Sequence, residues 1–257
     1  TGTEYGSIQI NDNASLFSHG GNIVMSGGVC TSTPPCSIAA QGSLNNFDGI
    51  AIKNANIDSH GGLISLNGEG FSGSGISNAN GVLIMNSLLN SATGNINISG
   101  VGGFGSISNE DGGSGNNGIF ITGYDDGTTI KPTMLNTSTG DITLNGTGKG
   151  EGQSNIGIST DTTTLVTNGG KITLNGTGAN NDAGILLESR SVIGNNTTAD
   201  VTLNGNNQPS ISTDRFDSIV FANNLPNGIS PSIQSTGKLS IDSNDKGIFA
   251  STPLALM

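Results

Sequence analysis

Residues 140–146 read Gly-Asp-Ile-Thr-Leu-Asn-Gly, and residues 170–176 repeat the phrase as Gly-Lys-Ile-Thr-Leu-Asn-Gly. Looser copies start at Gly21, Gly62, Gly94, Ala199 and Gly237, so that seven apolar pairs recur: Ile23/Met25, Ile64/Leu66, Ile96/Ile98, Ile142/Leu144, Ile172/Leu174, Val201/Leu203 and Leu239/Ile241. In each copy the pair stands two residues apart, which puts both side chains on one face of a β-strand and the residue between them on the other. Glycine before and Asn-Gly or a similar polar pair after punctuate the strand. The pairs are therefore the candidate core of this first strand family.

Two further families interleave with the first. The second runs Ile8-Gln9-Ile10, Ile50-Ala51-Ile52, Val82-Leu83-Ile84, Ile119-Phe120-Ile121, Ile156-Gly157-Ile158, Ile185-Leu186-Leu187, Ile219-Val220-Phe221 and Ile248-Phe249-Ala250. The third centres on Leu16, Ile57, Leu89, Leu135, Leu165, Val192, Ile233 and Leu254. The order second, third, first never reverses, which argues against a sandwich of hairpins and for a coil whose turns stack into parallel ladders. The expected fold is all-β: a right-handed parallel β-helix with three short strands per turn and about eight turns. Residues 1–257 are read as a single such domain.

Composition matters to the argument in three places. Glycine is abundant at 42 residues, aromatics are 4% and tryptophan is absent, which would suit a disordered chain. Disorder does not hold Ile and Leu in one register seven times, however, and a narrow core between β-layers needs medium aliphatic residues. The net charge of −11 argues against nucleic acid and anionic membranes as partners, because both select basic patches. No run of eighteen apolar residues exists, so membrane insertion is not expected. The chain begins at Thr1 without a signal-peptide pattern, as a processed form or a segment of a longer protein would. Cys30 and Cys36 close the short loop Cys-Thr-Ser-Thr-Pro-Pro-Cys. A disulfide between them is expected, which implies an oxidising compartment and pins a loop rather than the fold.

Corner lengths distinguish the edges of the coil. From third to first strand the gap is always short; insertions 27–48, 100–117, 146–155 and 205–217 leave after the first strand, and 124–132 and 223–231 after the second. The edge elaborated after the first strand is the expected contact surface. Asn67, Asn145, Asn175 and Asn204 hold one register after the strand and are read as a structural ladder of stacked amides. The outward row between the core pairs is Val24, Ser65, Asn97, Thr143, Thr173, Thr202 and Ser240.

Several residues invite chemistry. A polysaccharide-cleaving site needs carboxylates grouped on adjacent turns, or a carboxylate near Arg or Lys. Asp125 and Asp126 in Gly-Tyr-Asp-Asp-Gly are the candidates, with Asp161 and Asp214 as partners. Asp-Gly pairs are also ordinary turn residues, so no catalytic role is assigned. His19 and His60 each precede the first strand in Ser-His-Gly-Gly and should stack one turn apart; without further ligands at short spacing they are read as corner residues, not a metal pair. The acidic stretch Asn109-Glu110-Asp111-Gly112-Gly113 lacks the spacing of an EF-hand loop. A row of threonines raises ice binding, thinly supported by one Thr per turn. No cofactor or metal is expected.

The phrases Gly-Asp-Ile-Thr-Leu-Asn-Gly-Thr-Gly (140–148), Asn-Ile-Gly-Ile (155–158) and Thr-Leu-Val-Thr-Asn-Gly-Gly (164–170) resemble the repeat region of bacterial large exoproteins of filamentous-haemagglutinin type. The resemblance implies secretion through an outer-membrane partner pore and service as an adhesin, or as a surface or matrix filament, engaging a surface glycan or protein receptor. That family's export domain opens with Asn-Pro-Asn-Gly-Ile; here Leu225 precedes Pro226-Asn227-Gly228-Ile229, late in the chain, so a stretch of shaft is expected instead. Neither end reads as an amphipathic cap, which raises head-to-tail self-association. The resulting expectation is a non-enzymatic extracellular structural protein; the alternative is a polysaccharide-binding or polysaccharide-cleaving β-helix enzyme.

Overall fold

A computed structural model describes residues 6–27, 38–107, 112–208, 217–223, 229–243 and 247–251, with the backbone of 255–256. Every regular element among them is a β-strand, and the three families form three parallel sheets. The second family pairs in the order Ile8–Ile10, Ile50–Lys53, Val82–Met85, Ile119–Thr122, Ile158–Asp161, Ile185–Leu187, Ile219–Phe221, Ile248–Ala250. The third runs Ser15–Phe17, Asn56–Asp58, Leu88–Ala92, Thr133–Thr137, Thr163–Thr167, Val192–Thr197, Ser232–Ser235, Ala255–Leu256. The first runs Ile23–Met25, Ile64–Glu69, Ile96–Val101, Ile142–Thr147, Lys171–Gly178, Asp200–Asn207, Leu239–Ser243. The chain visits the three sheets in turn and returns one strand-width along the axis. This is a right-handed parallel β-helix of seven full turns and two strands of an eighth.

Register builds the core. Ile96 lies between Ile64 and Ile142, and Ile98 between Leu66 and Leu144, so identical positions of successive turns stack into aliphatic rows. Ile172, Leu174, Val201 and Leu203 continue the same two rows. All ten of these side chains are at most 1% exposed. Each contributes about 1.5–3 kcal/mol by leaving water, and in the buried cluster of the described residues Phe221 is the one aromatic side chain.

Three strands sit in a different phase from the sequence expectation. Ile193, not Val192, pairs with Leu165 and Ile233 and is fully buried, while Val192 stands beside Thr164 and Ser232. Two adjacent β-branched residues offer both phases, and only the ladder decides between them. In the fifth turn the strand is Ile158–Asp161, with Ile158 between Ile119 and Ile185. Gly157 is thereby drawn into the register of Gly118 and Gly184, where backbone meets backbone. Thr160 then occupies a core position, fully buried, its hydroxyl donating to Ser191 Oγ at 3.0 Å. Finally, Leu256 rather than Leu254 pairs with Ile233; Leu254 lies outside the described residues.

The three corners differ. From second to third strand the chain turns through a left-handed residue in turn after turn: Asn13, Asn54, Asn86, Thr162 and Arg190. Asparagine adopts this conformation readily, whereas β-branched Thr162 does so at a cost. From third to first strand the turns touch: a Cβ on Gly140 would meet Gly94 O at 1.9 Å. After the first strand the insertions lie on one another. Ala40–Gln41 pairs with Gly68 and Glu69, and Gly73–Ser74 with Gly105–Ser106, so the elaborated edge carries its own short ladder.

Candidate functional site

In the fourth turn the chain leaves the coil after the second-family strand and makes an antiparallel hairpin, Tyr124–Asp125 against Ile130–Lys131. Asp126 closes its turn: Oδ1 accepts from the Thr128 hydroxyl at 2.7 Å and from the backbone N–H groups of Thr128 and Thr129 at 2.9 and 2.7 Å. Oδ2 accepts from the Tyr124 hydroxyl at 2.8 Å. These donors, the Thr128 hydroxyl first, hold the Asp126 carboxyl well below the usual carboxylate range, and the acceptor beside it pushes the Tyr124 phenol up. Asp125 Oδ1 accepts from Gly127 N at 2.8 Å. Its Oδ2 accepts from Arg190 Nε, 65 residues further along the chain. The Asp125 side chain is 5% exposed and that of Arg190 19%, so the pair is a largely buried clamp that holds the hairpin against a turn two steps along the axis.

Asp161, on the intervening turn, completes this cluster. Burial first, and then the negative charge of Asp125, push its carboxyl up, against hydrogen bonds from Thr162 that pull it down. Three successive turns thus contribute Asp125, Asp161 and Arg190 to one corner, which is the grouping of acids and a base that a glycan-cleaving site requires. Both oxygens of Asp125 and both of Asp126 are nonetheless engaged by protein donors. The fourth acidic candidate, Asp214, lies outside the described residues.

The other candidates are dispersed. His19 and His60 stack with ring centroids 5.5 Å apart, and His60 Nδ1 lies 3.1 Å from Asp58 Oδ1. Among the described residues no group of three His, Cys, Asp or Glu side chains is placed to hold a metal ion. Asn204 donates to Asn175 Oδ1 at 2.7 Å and Asn175 to Asn145 Oδ1 at 2.8 Å, a continuous amide ladder on the outer face. Asn67 shares the register but is separated from Asn145 by Ser99. Thr143, Thr173 and Thr202 stand in one outward column, with Thr147 and Thr177 in a second. Cys30, Cys36, Asn109, Glu110 and Asp111 lie outside the described residues.

The stacked insertions present a different surface. Phe47 and Phe71 stack with centroids 6.1 Å apart and planes 16° from parallel. Elsewhere in these insertions Ile38, Leu44, Phe104 and Ile107 are exposed, Leu44 by 74%. Lys149 reaches Glu69, two turns away, at 3.6 Å, and Glu151 accepts from Ile107 N of the neighbouring insertion at 3.0 Å.

Two features escaped the sequence reading. The third-to-first corner is held by a row of hydroxyls: Ser59 donates to Gly62 O at 2.5 Å, Ser91 to Gly94 O at 2.6 Å and Thr167 to Gly140 O at 2.9 Å. Its signal, Ser or Thr three residues before the corner glycine, is visible at 18, 59, 91, 137 and 167. Arg190 was missed because nothing local marks it. Comparison with protein-family models, with curated proteins and with solved structures finds no match.

Proposed function

We propose that the chain is a non-enzymatic shaft of an extracellular adhesin or filament, and that it makes its contacts through its sides. The observation that carries this reading is the edge of stacked insertions. Ile38, Leu44, Phe47, Phe104 and Ile107, all in insertions that leave after first-family strands, are each more than a third exposed, and exposed apolar surface gathered on one edge marks interaction sites. The coil beneath is a rigid support, because every strand of its middle turns is paired on both sides. Among the described residues the end strands of all three sheets run parallel to their neighbours, the arrangement that head-to-tail extension by further turns or a second copy requires. In keeping with the resemblance of its repeats, export runs through an outer-membrane partner pore, and the receptor is a surface glycan or protein.

The test is bead adhesion. Beads coated with the chain should bind a cell layer, and Leu44→Asp with Phe104→Ser should lower the bound count at least tenfold while the thermal midpoint stays within a few degrees. Unchanged adhesion by the double variant rules out this edge; failure of the unaltered chain to adhere rules out the adhesive reading.

A glycan-cleaving reading keeps one specific support, the raised Asp161 carboxyl beside Asp125. It requires release of reducing ends from a polysaccharide and loss of that release in Asp161→Asn.

A further inference from the structure

Seven Asn-Gly dipeptides lie among the described residues, at 67–68, 80–81, 117–118, 145–146, 168–169, 175–176 and 204–205. Asparagine before glycine is chemically labile. No side chain shields the glycine nitrogen, and the permissive backbone can bring that nitrogen onto the asparagine Cγ. Whether a given pair reacts depends on what holds the two partners apart.

Six of the pairs are locked. Gly68, Gly146, Gly176 and Gly205 sit in the ladders of the first sheet, while Gly81 N and Gly118 N donate to Asn117 O and Ile156 O, each at 3.0 Å. A Cβ on any of these six glycines would lie 2.3 Å or less from another atom, so the strand has no room to bend its amide toward a side chain. Most of the asparagines are held as well. The amides of Asn145, Asn175 and Asn204 bond to one another, and those of Asn80 and Asn117 bond to Asp48 and Asn80.

Asn168-Gly169 is different on each count. It is exposed at the third-to-first corner, between Thr163–Thr167 and Lys171–Gly178, where the corresponding corners carry His19, His60, Ala92 and Ser138. The nearest atom to a Cβ on Gly169 would lie 3.8 Å away. Among the described residues neither Gly169 N nor the Asn168 side chain has a hydrogen-bond partner. The Asn168 backbone itself is anchored to both neighbouring turns: its N–H donates to Ser138 O at 3.0 Å, and its carbonyl accepts from the Thr198 hydroxyl at 2.8 Å.

We propose that Asn168 is a site of spontaneous deamidation, the reactive Asn-Gly pair among these seven. Gly169 N loses its proton to solvent base and bonds to Asn168 Cγ; the Cγ–Nδ2 bond breaks, and the nitrogen takes protons from water and leaves as ammonia. Water then opens the five-membered imide at either carbonyl, giving aspartate or isoaspartate. Both products add one negative charge to the corner. In isoaspartate the main chain gains a methylene, and the carbonyl carbon whose oxygen accepts from Thr198 becomes the free carboxylate. The corner thereby records the age of the chain, whatever surface the chain uses for contacts.

The experiment is timed incubation of the whole folded chain at mildly alkaline pH, followed by tryptic peptide mapping with fragmentation to place the amide-to-acid mass gain. Cleavage after Lys149, Lys171 and Arg190 separates Asn168, in peptide 150–171, from Asn175, in peptide 172–190. Asn168 should convert at least tenfold faster than Asn175, because the ladder site reacts only through local opening. In denaturant the two rates should converge to within threefold. Gly169→Ala, which meets open space, should slow conversion at Asn168 at least fivefold with the thermal midpoint unchanged. A folded-chain rate at Asn168 no higher than at Asn175, rates that stay tenfold apart in denaturant, or a rate indifferent to Gly169→Ala overturns the assignment.

Discussion

At the residue scale, close backbone approach and buried charge are the two places where single atoms decide stability. A Cβ on Gly146 would meet Gly157 O at 2.1 Å and Ile158 Cγ1 at 2.7 Å, and neither strand can retreat without breaking its ladder. Gly146→Ala should cost roughly 3 kcal/mol, whereas Gly169→Ala, whose nearest neighbour would lie 3.8 Å away, should stay within about 0.5 kcal/mol; paired thermal denaturation measures both. Asp182 is the clearest titration. Its oxygens accept from Ser154 N at 3.0 Å and Asn155 N at 2.7 Å, yet burial dominates and pushes its carboxyl up from 3.8 to about 6. The folded chain therefore holds a proton that the unfolded chain gives up. The associated stability is fully present below pH 3.8 and is lost as pH rises through 6. A rise of this size corresponds to roughly 2–3 kcal/mol. Denaturant midpoints between pH 4 and 8 should fall with rising pH, and Asp182→Asn should flatten that fall; an unaltered slope in the variant would assign the dependence elsewhere.

At the element scale the hairpin at 124–131 is the one excursion after a second-family strand whose anchorage is fully described. It hangs on the Asp125–Arg190 clamp. Removing Arg190 would leave a buried carboxylate without its counter-charge, a loss of about 3–5 kcal/mol where the structure cannot relax. The hairpin can relax by swinging into water, which caps the global cost at the cost of opening. Arg190→Ala should therefore speed amide exchange across 124–131 at least tenfold with little change in the global midpoint, and exchange that stays slow there would show the clamp to be idle. Elements were legible in the sequence in proportion to their punctuation. The first family was plain because Ile-x-Leu-Asn-Gly has one possible phase. Val192-Ile193 and Ile156-Gly157-Ile158 each offer two, and the choice is made by neighbours about thirty residues away. The clamp was invisible for the same reason in stronger form. Asp125 and Arg190 share no local pattern, and their meeting depends on a hairpin leaning across a whole turn of coil.

At the scale of the whole molecule, the stacked register turns a sequence repeat into surfaces. Outward residues of equivalent position line up along the axis, which is how amides at 145, 175 and 204 become a ladder and insertions from separate turns become one edge. The functional reading proposed for this chain needs that alignment, since the exposed insertion edge does not exist on a single turn. The most direct check is a distance along the axis. Val24 and Ser240 occupy one outward column, separated by six strand steps through Ser65, Asn97, Thr143, Thr173 and Thr202. At about 4.8 Å per step their backbones should stand roughly 29 Å apart. Spin labels at cysteines placed at 24 and 240, with Cys30 and Cys36 changed to serine, should give a narrow distance distribution near that value by double electron–electron resonance. Labels at 97 and 240, four steps apart, should give about 19 Å. Two distances in that ratio confirm the continuous coil; a broad distribution, or a distance between 24 and 240 no longer than that between 97 and 240, contradicts it.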